Sequence, residues 1–235
     1  MDQFETDLMT IITQLEHLAE HQDVKFWQDR TALVAKALES VQTIFDERVP
    51  YKPSPKLKKM IKEKSFRKGH FTLASGVESE YFFDLKPTML DPLGSNLIAE
   101  AVLAKLDFLY DAGGFFDAVG GMAVGGVPIV SVIAALSHLK GRPTPVFFVR
   151  KAAKDHGTEK LIEGNLEAGW TVVLVEDVTT TGHSIMQAVW AVREAGCEVH
   201  DIITVVDRLE GAMQNLNEEN IELHPIFTRA DFEDE

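Results

Sequence analysis

Bases are scarce in this chain: 23 lysines and arginines stand against 37 acids in 235 residues, a formal net charge of −14. A polyanion would be repelled unless those bases cluster, which excludes nucleic acid as a default partner. Cysteine is scarcer still. Cys197 is alone, so no internal disulfide can form, and its setting in EAGCEVHD, between a helix pattern and a strand pattern, predicts a small buried filler. The opening MDQFETDLMT carries acids where a secretory or mitochondrial signal needs bases, so the cytoplasm is the expected location. Uninterrupted apolar runs of membrane-spanning length are also lacking. AVGGMAVGGVPIVSVIAAL, 118–136, comes nearest, but its two Gly-Gly pairs and Pro128 punctuate it into a short strand, a loop and a helix, so no membrane partner is expected.

What is present, 45% hydrophobic and 26% charged residues, suits one globular domain with room for an appendage. Residues 1–49 place Phe4, Leu8, Ile11, Leu15 and Leu18, then Leu33, Ala37, Val41 and Ile44, at helical spacing, which predicts two amphipathic helices. Pro50, Pro53 and Pro55 follow in VPYKPSPKLKK, too closely spaced for a helix, and read as a linker. The expected division is a helical extension with its linker over 1–55 and the main domain over 56–235.

Beyond the linker, short apolar strands alternate with helical patterns: YFFDLK, LIAEAVLAKL, FDAVGG, PIVSVIAALSHL, PVFFV, TVVLVE, SIMQAVWAVREAG, VHDIITVVD and IELHPIF. Strands joined through helices form right-handed crossovers, so the pattern predicts an α/β fold with a mainly parallel central sheet flanked by helices. Ligands in such sheets sit at the carboxyl ends of strands. That rule directs attention to the residues after AVGG, FFV, VVLV and TVV.

After VVLV comes EDVTTTGHS. A turn containing Gly182 can aim several backbone N–H groups at one point, and the start of the following helix adds partial positive charge, which makes a phosphate-sized anion site over Thr179, Thr180, Thr181, Gly182, His183 and Ser184. A plain helix cap at His183 or Ser184 would give the same string. Glu176 and Asp177 tip the balance, because two acids beside a phosphate pocket are costly unless they face hydroxyl groups or a metal on the same ligand. The ligand these residues fit is a sugar phosphate. Neither a Walker lysine nor a G-x-G-x-x-G run is present to suggest a nucleotide site instead.

After FFV, the stretch RKAAKDHGTEK gathers Arg150, Lys151, Lys154, His156 and Lys160 in a chain otherwise short of bases. It has no apolar helical stripe, contains Gly157, and reads as a long loop able to neutralise an anion with the charge of pyrophosphate. VGGMAVGGVP, 119–128, offers glycines for close backbone approach to a ligand. Arg208, after TVVD, could form a rim salt bridge with Asp207 or grip a planar carboxylate. His17, His21, His138, His200 and His224 show no metal-ligand spacing and are expected to be structural or exposed.

VVLVEDVTTTGHS resembles the phosphoribosyl pyrophosphate signature of type I phosphoribosyltransferases. RKAAKDHG resembles the catalytic loop of the orotate phosphoribosyltransferases, R-K-x-x-K-x-H-G, and GHFTLASGVESEYFFDL, 69–85, resembles their amino-terminal hood motif. The resemblance spans about 57–230 and leaves the first 55 residues outside. It implies a type I phosphoribosyltransferase-like fold with a small hood beside the sheet. It implies that Glu176 and Asp177 bind the ribose diol and that Thr179–Ser184 hold the 5-phosphate. Arg150, Lys151, Lys154 and His156 would meet pyrophosphate, with Lys154, His156 and Asp177 in the catalytic set. Phe82 and Phe83 would border the base, and Arg208 would lie near orotate. Magnesium held mainly through substrate oxygens, and a homodimer whose catalytic loop closes over the neighbouring subunit's site, are implied with them.

The chain departs from the family pattern at Ala74, where many members have lysine, at Val77, where they have arginine, and at Ala123-Val124, where they have an aromatic-lysine pair. Another base therefore stays open as the acceptor. So does a regulator that senses phosphoribosyl pyrophosphate without catalysis, for which KLKKMIKEKSFRK, 56–68, would supply the basic surface.

Overall fold

The computed structural model describes residues 52–72, 78–110, 115–152 and 161–233. The chain divides into two units, Met1–Pro50 and Tyr51–Glu235, and the described residues all lie in the second. The helices expected over 1–49 fall outside them.

In chain order the elements are α1 (Pro55–Lys64), β1 (Phe66–Thr72), β2 (Glu78–Phe83), α2 (Lys86–Met89), α3 (Pro92–Tyr110), β3 (Ala118–Met122), α4 (Gly126–Leu139) and β4 (Val146–Val149). They continue with β5 (Ile162–Gly164), β6 (Thr171–Thr179), α5 (His183–Glu194), β7 (Glu198–Asp207), α6 (Ala212–Asn217), β8 (Glu222–Thr228) and a 3₁₀ turn, Arg229–Phe232. The linker proline Pro55 opens α1 rather than blocking a helix. Its missing N–H and fixed φ cost nothing at the first helical position.

Six strands form the central sheet in the order β5-β4-β3-β6-β7-β8. All neighbours run parallel except β5 against β4. The apolar run of β6 is buried on both faces and divides between two cores. Val173 and Val175 pack with Ile98, Val102 and Leu106 of α3 and Ile129 and Ile133 of α4. Val172 and Leu174 pack with Ile185, Val189 and Val192 of α5 and Leu216 of α6. Cys197 is buried in that second core, its thiol donating to the Glu167 carbonyl at 3.1 Å. Among the described residues, no helix is long and apolar enough to cross a membrane.

β1 and β2 form a separate antiparallel hairpin. Its root is fixed by Phe66 and Phe83, which pack on each other and on Phe232 of the C-terminal 3₁₀ turn. The hairpin is thus held against the carboxyl end of β8, the edge where a ligand of a parallel sheet is expected.

Candidate active site

β6 ends in Thr179, and α5 begins at His183 behind Gly182, whose φ of +81° lies in the left-handed region that favours glycine. The connecting loop is tied backwards through its carbonyls. Thr179 accepts from the Arg208 N–H (2.9 Å), Thr180 from the Ala212 N–H (3.1 Å), Thr181 from Asn215 Nδ2 (2.8 Å) and Gly182 from the Met186 N–H (3.1 Å). The N–H groups of Thr181, Gly182, His183 and Ser184 have no backbone partner among the described residues. With the carbonyls turned away and the positive end of α5 behind it, the loop's free backbone groups are all donors, which suits a phosphate.

The six loop residues do not all face the same way. Thr181, His183 and Ser184 are exposed and Thr180 is half-buried. The Thr179 hydroxyl instead donates to Asp207 Oδ1 at 3.2 Å and is buried in the sheet, so its side chain braces β6 against β7 and does not reach the anion.

Just before this loop stand Glu176 and Asp177. Glu176 is only 8% exposed, and its Oε2 has no hydrogen-bond partner. Burial first, and then the neighbouring charge of Asp177, push its carboxyl well above the usual range, while Lys151 pulls weakly the other way. Burial also raises Asp177, against the backbone N–H groups of Val178 and Asp177 and the charge of Lys86. The turn between β3 and α4 lies directly on this acid, since a Cβ at Gly125 would run into the Asp177 carboxylate. The close approach expected of the glycine segment is therefore made to Asp177. A buried acid oxygen without a donor is costly in the free protein and is satisfied by a ligand hydroxyl or a cation.

Lys86, at the start of α2, adds a charge near Asp177, with its ammonium donating to Asp84 Oδ1 at 2.7 Å. It sits at the end of YFFDLK, whose aromatic residues give a strand signal that carries no information about the lysine. The signal available was the Asp-x-Lys spacing at a strand's end.

At the base of the basic loop, Arg150 donates to Glu163 Oε1 of β5 at 3.0 Å, and its N–H donates to the Leu161 carbonyl. The guanidinium pins the two ends of the loop together. Lys151 is exposed. Lys154 and His156 lie outside the described residues, as do Ala74 and Val77 of the hood.

Phe82 and Phe83 part company. Phe83 is 7% exposed and belongs to the core, so it does not border an open pocket; Phe82, 40% exposed, packs at a tilt against Phe71 and is the aromatic face the hairpin offers. Arg208 does not pair with Asp207. It is 5% exposed, and its Nη2 donates to Ser79 Oγ of β2 (3.1 Å) and contacts Glu210 Oε1 (2.7 Å). It thereby joins the hairpin to the carboxyl end of β7. Ser79 and Glu210 were not singled out by the sequence, because only the fold brings position 79 to position 208.

At the opposite ends of β7 and β8, Asp201 accepts from Tyr110 Oη (2.6 Å) and stands 2.7 Å from His224 Nε2. Burial alone would raise Asp201, but its bonds with His224 and Tyr110 hold it below the usual carboxylate range. Asp201, Glu222 and His224 place their ligand atoms within 4.8 Å of one another, close enough for one cation. The Asp201 carboxylate is already shared by Tyr110 and His224, and that network ties α3 to the sheet.

Residues 95–222 match the phosphoribosyl transferase domain model. An orotate phosphoribosyltransferase of a Bradyrhizobium species is 43% identical over 181 residues, covering 75% of this chain and 95% of that relative. Among solved structures, orotate phosphoribosyltransferase of Mycobacterium tuberculosis in complex with Fe(III) dicitrate superposes with a TM-score of 0.64 at 36% identity, covering 76% of this chain and 97% of that one. The same enzyme in complex with 5-phospho-α-D-ribosyl 1-diphosphate superposes with a TM-score of 0.58 at 31% identity, covering 75% of this chain and 89% of that one. A loop whose free backbone groups are donors, a buried and a half-buried acid beside it and these relatives agree: the chain belongs to the phosphoribosyltransferase family, alongside the orotate phosphoribosyltransferases.

Proposed function

We propose that the protein transfers the 5-phosphoribosyl group from phosphoribosyl pyrophosphate to orotate, giving orotidine 5'-monophosphate and pyrophosphate. The observation that carries this reading is the pairing of a loop whose free backbone groups are all donors with a buried and a half-buried acid, Glu176 and Asp177, the first with an oxygen that makes no hydrogen bond. The two halves fit opposite ends of a ribose 5-phosphate.

In the proposed reaction a ring nitrogen of the base forms a bond to the anomeric carbon as the bond from that carbon to pyrophosphate breaks. The bonding electrons leave with pyrophosphate. No protein nucleophile is needed. Positive charge accumulates on the ribose in the transition state, next to Glu176 and Asp177, and negative charge accumulates on the leaving group. Lys151, Lys154 and His156 supply compensating charge from the basic loop, and Arg150 anchors its base through Glu163. Loop closure would exclude water from the reactive carbon. His156 would either carry a proton or bind phosphate.

Magnesium fits the acid pair through substrate: Glu176 and Asp177 would meet it by way of the ribose hydroxyls, and the ion would neutralise developing charge on pyrophosphate. A homodimer with the loop shared across subunits, and a cytoplasmic location, complete the proposal.

Incubation with Mg²⁺, phosphoribosyl pyrophosphate and, separately, orotate, uracil, adenine, hypoxanthine or xanthine tests it. Nucleotide and pyrophosphate are expected in equal amounts with orotate. Turnover of a purine instead would overturn the base assignment, and no turnover with any base would overturn the catalytic one.

A further inference from the structure

Arg208 is buried, charged and incompletely paired. A guanidinium receives a carboxylate through two parallel hydrogen bonds along one of two edges, Nη1–Nη2 or Nε–Nη2; the second is the one at issue. In Arg208 these two atoms stand in different states. Nη2 is held by Ser79 Oγ at 3.1 Å and Glu210 Oε1 at 2.7 Å. Nε is buried and makes no hydrogen bond. Glu210 therefore leaves the Nε–H without a hydrogen bond. A buried N–H left unsatisfied costs on the order of 1–3 kcal/mol, more beside a charge.

The turn that carries Glu210 has an unusual backbone. Leu209 has a φ of +58° and Gly211 one of +97°, while the Asp207 carboxylate accepts from the Leu209 N–H at 3.1 Å. Asp207 clasps the start of the turn, and Arg208 is fixed from the other side by Ser79. The Glu210 side chain is 30% exposed and so has a path to solvent.

The geometry points to Glu210 as an internal stand-in for a substrate carboxylate. It covers the charge of Arg208 while the base site is empty and gives up the Nε–Nη2 edge when a base bearing a carboxylate arrives. This rests on the proposed reading of the site, in which orotate is the acceptor. The incoming carboxylate satisfies Nε, which Glu210 leaves open, and so repays the displacement. An uncharged base offers that edge only neutral carbonyl oxygens, weaker acceptors than the Glu210 carboxylate it would have to displace, so the Arg208–Glu210 pair stays closed. Glu210 acts through Arg208 as a positioning residue that sharpens the choice between a carboxylated pyrimidine and a plain one.

The consequence is unusual for an acid near a binding site: removing its charge is expected to tighten substrate binding. For Glu210→Gln, the KM for orotate is expected to fall about three- to tenfold, the range of a partly screened ion pair. The KM for phosphoribosyl pyrophosphate and the inhibition constant of uracil are expected to move less than twofold. Loss of a merely structural contact would raise all three together. An orotate KM that is unchanged or higher, or a uracil constant that falls in step with it, would overturn the role of Glu210. Glu210→Asp, whose shorter arm weakens the contact with Nη2, is expected to move the orotate KM in the same direction, and covers the case in which the first variant does not fold. If the unsubstituted protein makes no nucleotide from orotate, it is the reading of the site that fails; if it does and the variants leave the orotate KM unmoved, Glu210 alone is at fault.

Discussion

Glu176 keeps one carboxylate oxygen buried and without a hydrogen bond, beside a second acid whose own ionisation is opposed by burial. Its protonation in the folded state persists above the usual 4.5, so the folded protein holds a proton there that the unfolded chain has released. Stability is then greatest below the unfolded value and is lost as pH rises through the folded one. Glu176→Gln is expected to stabilise the free protein at neutral pH by on the order of 1–2 kcal/mol and to flatten the decline of stability above the acid range. The same change removes an acceptor for a ribose hydroxyl and is expected to weaken phosphoribosyl pyrophosphate binding about tenfold. Urea unfolding at several pH values, with donor titration, checks both halves; a variant that is less stable yet binds the donor normally would contradict the assignment. These acids were legible in the sequence because charge following a buried strand needs a reason. Phe83 was not: two adjacent aromatics read alike until the hairpin register sets Phe83 opposite Phe66 and the chain end brings Phe232 onto both.

At the scale of elements, the proposed phosphate loop is a piece of β6, a turn and the start of α5, and its shape is imposed from behind by a helix the sequence did not reveal. α6, Ala212–Asn217, is one short helix with a single fully buried leucine, Leu216, too brief for a periodic signature, yet it supplies the donors that pin the Thr180 and Thr181 carbonyls. β5 was missed for the same reason, being three residues long, and its Glu163 holds Arg150. The longer parallel strands and their helices were legible because each buries two faces. Gly182 tests whether the turn's conformation, rather than its composition, makes the anion site. A Cβ there meets nothing closer than 3.4 Å, so alanine is opposed by the φ of +81° and not by crowding. Gly182→Ala is expected to cost about 1–2 kcal/mol of stability and, by turning the Gly182 and His183 N–H groups, to weaken binding of ribose 5-phosphate severalfold. Calorimetric titration of that ligand checks it. Unchanged affinity would move the phosphate elsewhere.

On the whole-molecule scale, the described unit places the proposed donor site at the end of β6, while the residues proposed to act on pyrophosphate lie in a loop between β4 and β5. Arg150 and Glu163 close that loop at its base, and Lys151 already leads away from the sheet into solvent. Whether Lys154 serves its own subunit's acids or those of a neighbour is a question of arithmetic. Lys154→Ala spoils the loop and leaves the acid pair intact; Asp177→Asn spoils the acid pair and leaves the loop intact. Each variant alone is expected to turn over slowly at low donor concentration. In a two-fold dimer with loops exchanged, a mixed pair contains one site with both defects and one with neither. Random exchange makes half the dimers mixed, so the mixture is expected to recover roughly a quarter of the unsubstituted rate. Loops acting on their own subunits give mixed dimers with one defect in every site and no recovery. Rate assays on variants mixed after reversible dissociation, with sedimentation to establish the dimer, separate the two arrangements, and an additive rate would sink the shared loop.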